Sequence, residues 1–182
     1  GGTWREAAAA VAAAALDPAL PALEAAQAAG ARTLAWLPHG PLHAVPLEAL
    51  PWGDGLVIDR LPVFSAPSLT ALALTYGHAA QPRGARLLAV ADALGDLPGA
   101  RAEITRLKAR YPRPDVLLGA QAGRAATRQA WAAADVLHFA VHGVRPDAHT
   151  SAFLQLRDGA LRAHDIATAD LGHAQLAVLS VC

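Results

Sequence analysis

The chain has 182 residues, no net charge and one cysteine, and alanine leads the 54% of its residues that are hydrophobic. That length suits one domain with a core of its own, and the balanced charge, with no basic stripe, argues against nucleic acid as a partner. The uncharged stretch Leu61–Pro82 holds Pro62, Pro67, Pro82 and several hydroxyl residues, a pattern for a strand, a turn and a buried helix rather than a membrane span.

In chain order, Thr3-Trp4-Arg5-Glu6 has the capping-box pattern, predicting an alanine-rich helix to about Ala15. Asp17-Pro18 predicts a second helix, with Asp17 as its N-cap, ending near Gly30. Thr33–Leu37 reads as a short strand, and Gly55–Asp59 and Leu61–Ser65 as extended pieces around Pro62. Ser68 is expected to cap a helix running to about Tyr76. From there strands alternate with helices: strand Arg86–Val90, helix Pro98–Arg110, strand Val116–Leu118, helix Arg124–Ala133 and strand Val136–Val141. The loop Val144–Thr150 is followed by a hairpin through Asp158-Gly159, a short helix near His164–Ala169 and a last strand, Gln175–Val181. Such alternation predicts an α/β fold with a mainly parallel sheet covered on both faces.

Two of these apolar runs end in reactive side chains. Val136–Val141 leads into His142-Gly143, and Leu176–Val181 leads into Cys182. In open α/β sheets, chemistry gathers beyond the carboxyl ends of the strands. If these strands are neighbours, Cys182 is a candidate thiolate nucleophile and His142 its proton partner. The backbone N–H groups of Gly143 and Cys182 are candidate donors to an oxyanion. His138 lies inside its strand, where a core histidine is expected. A metal site built on His138, His142 and Cys182 is disfavoured, because the two histidines stand roughly 13 Å apart at strand rise. No Rossmann or P-loop glycine pattern occurs, and no cofactor is expected.

Six segments together resemble a known family. Leu37-Pro38-His39-Gly40-Pro41-Leu42 with Val45-Pro46-Leu47-Glu48-Ala49-Leu50 resembles the "PDG-x-L…iPfeaL" opening of CHAT domains. Ala66-Pro67-Ser68-Leu69 is similar to their "aPSl" segment, and Leu97-Pro98-Gly99-Ala100-Arg101-Ala102-Glu103 to their "LpgA-x-x-E" helix start. Val136–Gly143 resembles "vlHfatHG", Asp158–Leu161 "dG-x-L" and Ala177–Cys182 "vvLSaC". The resemblance implies a caspase-like α/β/α sandwich, a cysteine-type endopeptidase activity and the dyad His142 and Cys182, with no acidic helper required. His39, Val141 and Val181 depart from the family's usual residues without touching the dyad.

The resemblance spans Thr33–Cys182, so we read 31–182 as the domain and 1–30 as a helical flank, either the end of an upstream TPR-like array or a plain extension. The missing initiator methionine and the terminal Cys182 are read as truncation at both ends, leaving the domain's C-terminal part and its sheet incomplete. A terminal carboxylate beside Cys182 disfavours a thiolate, so this chain alone is expected to be inactive. The expected partners are a protein or peptide substrate and upstream repeats or a regulator, with neither nucleic acid nor membrane. A lone cysteine without a signal peptide fits a reducing compartment, read here as a bacterial cytoplasm. The rival reading is a non-catalytic caspase-like interaction module. Asp147, Glu48 and Asp158 are acids able to charge a specificity pocket, with none favoured.

Overall fold

A computed structural model describes residues 3–77, 86–145, 151–171 and 174–181, and the chain divides into two compact units, 1–78 and 79–182. Cys182, Asp147 and most of the Val144–Thr150 loop lie outside the described residues.

In the first unit, Thr3 caps helix α1 (Trp4–Val11) as its sequence predicts: its hydroxyl accepts from the Glu6 N–H while Glu6 reaches back to the Thr3 N–H. The predicted break at Asp17 does not occur. Asp17 has helical dihedrals and its N–H bonds back to the Ala12 carbonyl, so it is not an N-cap. A π turn (Ala12–Leu16) and a 3₁₀ turn (Asp17–Ala19) join α1 to α2 (Leu20–Ala28) in one helical run. Wider and tighter turns absorb the missing N–H and the ring of Pro18, which an ideal α-helix interior rejects. They also keep a four-residue spacing on one face, since an ordinary turn takes only about 3.6 residues. Ala8, Ala12 and Leu16 are accordingly buried together with Leu47, Leu50, Trp52, Val57 and Leu61.

Strand β1 (Leu34–Trp36) pairs in parallel with β4 (Val63–Ser65), and β2 (Pro51–Trp52) forms a small antiparallel ladder with β3 (Gly55–Leu56). The expected extended piece stops at Leu56. Val57–Arg60 turns into a short helix, α3, because the Asp59 carboxylate accepts the Leu56 N–H at 2.8 Å and caps it. Helix α4 (Leu69–Gly77) starts as expected, with the Ser68 hydroxyl accepting from the Ala71 N–H at 3.0 Å.

The second unit is an α/β domain. Strands β5 (Arg86–Ala91), β6 (Arg113–Leu118), β7 (Val136–Ala140) and β11 (Leu176–Leu179) form one parallel sheet in the order β11-β7-β5-β6. Helix α5 (Pro98–Lys108) connects β5 to β6, and α6 (Arg124–Trp131) connects β6 back across β5 to β7. Those connections advance in opposite directions, so right-handed crossovers put the two helices on opposite faces.

The core obeys the alternation of the strands. Leu87, Ala89, Ala91 and Ala140 pack with Ile104 of α5, while Leu88, Val90, Leu137, Phe139 and Val141 pack with Trp131 of α6. The second face also holds Leu154, Leu156 and Leu161 from the predicted hairpin, β9 (Phe153–Leu156) and β10 (Gly159–Arg162). One strand was not foreseen: β8 (Gly143–Val144) leaves the end of β7 and adds antiparallel to β9. Strand β6 also starts three residues earlier than its apolar run, because Pro114 and Asp115 pair with β5 through Leu87 and Leu88. The Asp115 carboxylate takes the Arg86 guanidinium at 2.8 Å, which accounts for a charged start to a buried strand. A last short helix, α7 (Ala163–Ala167), begins where Asp165 accepts the Arg162 N–H at 2.9 Å.

Candidate active site

The segment after β5 turns into α5 on one face of the sheet, while the segment after β7 feeds the hairpin on the other. The carboxyl ends of β5 and β7 therefore diverge around a crevice of the kind where α/β sheets hold ligands. His142 stands at one lip of it and Asp96 at the other. The His142 Nε2 lies 3.0 Å from each Asp96 carboxylate oxygen. A carboxylate only accepts, so in the neutral ring this contact makes Nε2 the protonated nitrogen and leaves the lone pair on Nδ1. The sequence offered no acidic helper for His142; the structure supplies Asp96.

The Asp96 turn is held from beneath. Asp92, the residue after β5, is fully buried and adopts φ 47°, alone among the described non-glycine residues in having a positive φ. Aspartate tolerates that left-handed region better than most residues. Its carboxylate accepts the Leu97 N–H at 2.7 Å and pairs with the Arg101 guanidinium. Burial pushes the Asp92 carboxyl upward, but the Leu97 N–H, the Arg101 side chain and charge, and the Gly95 N–H outweigh it and hold the group below the usual carboxylate range. Asp92 thus ties both ends of a tight turn whose outer residue, Asp96, faces His142.

Gly143 explains how the two motif-bearing segments come together. A Cβ at this position would lie 3.3 Å from Val181 Cγ2 and 3.4 Å from Val181 Cβ. The residue after His142 is therefore packed against the residue before Cys182. The neighbouring strands agree: β11 pairs with β7 through Val178 and His138, and the Ser180 N–H bonds to the Phe139 carbonyl at 2.8 Å. Gly143→Ala is expected to destabilise the fold by about 1 kcal/mol through this overpacking. Urea unfolding checks it, with most of the loss recovered in Gly143→Ala/Val181→Ala; an unperturbed single variant would show that Val181 yields freely.

The Gly143 N–H is also oriented by the ladder. The Gln155 N–H bonds to the His142 carbonyl at 2.9 Å, so 142 and 155 are a hydrogen-bonded pair. In antiparallel alternation the next pair, Gly143 and Leu154, is non-bonded, and the Gly143 N–H turns away from β9. The ladder therefore leaves the Gly143 N–H unspent on β9.

His138 is a buried histidine, as expected for a strand interior, at 6% exposure. Its Nε2 lies 2.9 Å from Glu103 Oε1 without making a hydrogen bond, so the ring nitrogen lacks a bonded partner. Glu48 lies in a 3₁₀ turn, Leu47–Ala49, of the first unit. Asp158 accepts the Arg124 N–H at 2.7 Å at the start of α6, a structural role. Among the described residues no three metal-ligating side chains gather.

A parallel sheet covered on both faces, with a carboxylate-bonded histidine past the end of one central strand, is consistent with a caspase-like α/β domain. The sequence model of the CHAT domain family matches residues 5–182, and the chain belongs to that family. The family is caspase-like and peptidase-related. The match includes the helical run that starts at Trp4. No curated protein and no solved structure matches the chain.

Proposed function

We propose that the domain is a cysteine-type endopeptidase acting through Cys182 and His142. The observation that carries this reading is the contact of Val181 with Gly143, which draws together the chain segments bearing the two reactive residues. With Nε2 engaged by Asp96, Nδ1 of His142 is the nitrogen left to take the thiol proton. The thiolate attacks the peptide carbonyl, and the N–H groups of Gly143 and Cys182 receive the oxyanion. As the carbon–nitrogen bond breaks, the imidazolium returns its proton to the leaving amine. Water, giving a proton to the same imidazole, then hydrolyses the thioester and restores the thiol.

The substrate we propose is a protein or peptide segment, in the cytoplasm, with upstream helical repeats or a regulator as the controlling partner. We propose neither a membrane nor a nucleic acid as partner. The helical run Trp4–Ala28 is long and apolar enough to cross a bilayer, with mean hydropathy 1.3, yet Ala8, Ala12 and Leu16 line the core of the first unit. Their burial, and the presence of Arg5, Glu6, Asp17 and Glu24 along the run, support a helix packed on protein.

The test is the rate of Cys182 alkylation by iodoacetamide against pH in the full-length protein and in His142→Ala. The expected wild-type profile titrates below the range of a free thiol and returns to it in the variant. Ordinary thiol behaviour in both, unchanged by candidate activators, would replace the peptidase with a non-catalytic interaction module.

A further inference from the structure

Three residues from separate sequence segments meet on the α5 side of the sheet, and the chemistry described so far uses none of them. Glu103 sits on α5, His138 inside β7 and Ser180 just past β11, two residues before Cys182. The Ser180 hydroxyl donates to Glu103 Oε2 at 3.1 Å, and the other oxygen of the same carboxylate lies 2.9 Å from His138 Nε2. Next to Glu103, Ile104 is buried against Ala89, Ala91 and Ala140 on that face, so the helix is seated on the sheet. The Glu103 carboxylate thereby reaches residues of two neighbouring strands, His138 in β7 and Ser180 just past β11. One of these strands continues into His142 and the other into Cys182.

We propose that Glu103 is a positioning residue for the dyad, acting through Ser180 and His138, an inference that rests on the Cys182–His142 reading. β11 needs such a support. Its Leu176 and Leu179 are more than half exposed, and β7 is its only pairing partner among the described residues. Pairing with β7, the Ser180 N–H on the Phe139 carbonyl and Val181 against Gly143 all hold the end of this strand from the β7 side. The Ser180–Glu103 bond adds a hold from α5 on the last described residues before the nucleophile. The contact with His138 refers the same carboxylate to the strand of the proton acceptor. Misplacement by about an ångström at a reacting atom is enough to cost orders of magnitude in rate.

The test is again Cys182 alkylation by iodoacetamide against pH in the full-length protein, read beside His142→Ala and beside thermal unfolding. Glu103→Ala and Ser180→Ala are each expected to slow alkylation at neutral pH about tenfold and to move the profile toward an ordinary thiol. Glu103→Gln keeps an acceptor for Ser180 and is expected to stay within about twofold of wild type. The double variant Glu103→Ala/Ser180→Ala should be no slower than Glu103→Ala, because both changes remove one contact. A merely structural role would lower the melting temperature and leave the pH profile in place. Ser180→Ala, a small change at an exposed residue, keeps the test valid if Glu103→Ala fails to fold. If His142→Ala shifts the profile while Ser180→Ala and Glu103→Gln leave it untouched and the Glu103→Ala profile is normal, the positioning role is overturned and the dyad stands. Additive losses in the double variant overturn it as well. An unshifted profile in His142→Ala overturns the dyad and the positioning role together.

Discussion

His142→Ala is expected to lower peptidase turnover of the full-length protein by about 10²- to 10⁴-fold, the range lost with a general acid–base group. Three steps need the imidazole: it takes the thiol proton before attack, delivers one to the leaving amine and takes one from the water that hydrolyses the thioester. Asp96→Asn is expected to cost less, about tenfold, because the half-exposed carboxamide can turn its oxygen toward Nε2. What it removes is the negative charge that favours imidazolium at the moment the thiolate attacks. The half-exposed contact limits that term, since charge pairs open to water are weak. Steady-state kinetics on a peptide substrate give the order wild type, Asp96→Asn, His142→Ala. Full activity in Asp96→Asn would reduce the pairing to a surface contact without catalytic weight, and equal losses in both variants would mean the carboxamide presents its N–H and flips the imidazole tautomer.

Asp92→Asn is expected to destabilise the domain by about 2–3 kcal/mol at neutral pH, a value for charged hydrogen bonds lost at a buried site. Asparagine has the same shape and tolerates the same left-handed backbone, so the change isolates the charge from the φ of 47°. The exposed side of the Arg101 guanidinium keeps the loss toward the lower end of the range for buried pairs. The acid dependence follows from the sign of the shift. The Asp92 carboxyl is lowered on folding, so its contribution is fully present above the unfolded value of about 3.9 and is lost as pH falls through the folded value. The stability gap between wild type and Asp92→Asn should therefore be widest near neutrality and close in acid. Denaturant unfolding across that range decides it, and a gap that persists at the lowest pH would assign the stabilisation to packing rather than to charge.

Much of the second unit could be read from the sequence because its signals are local. Leu87–Ala91 and Val136–Val141 are long enough and apolar enough to be recognised as buried parallel strands. Thr3, Ser68 and Asp158-Gly159 announced a cap, a cap and a turn through short-range chemistry. Failures fell where distant residues decide the outcome. Pro18 looked like a helix start, and only the π turn that accommodates it shows why the helix continues. Gly143–Val144 carries no strand signal of its own; Phe153 and Leu154 make it one.

The site divided in the same way. His142 was marked by its place at a strand end, whereas Asp96 was missed. Two aspartates follow β5 four residues apart, and nothing local says that Asp92 turns inward while Asp96 faces the histidine. The rule that chemistry sits beyond strand ends pointed to residues 92–97 all along. Choosing between the two required knowing that Arg101 and the Leu97 N–H had already claimed one of them.

The turn between β5 and α5 separates two kinds of constraint within five residues. Asp92 answers to folding, whereas on the proposed reading Asp96 answers only to the tuning of His142. The first aspartate is held wherever the domain must fold, and the second is free to drift in any lineage that tolerates a slower dyad. In a set of CHAT sequences, the position of residue 92 is therefore expected to vary less than that of residue 96.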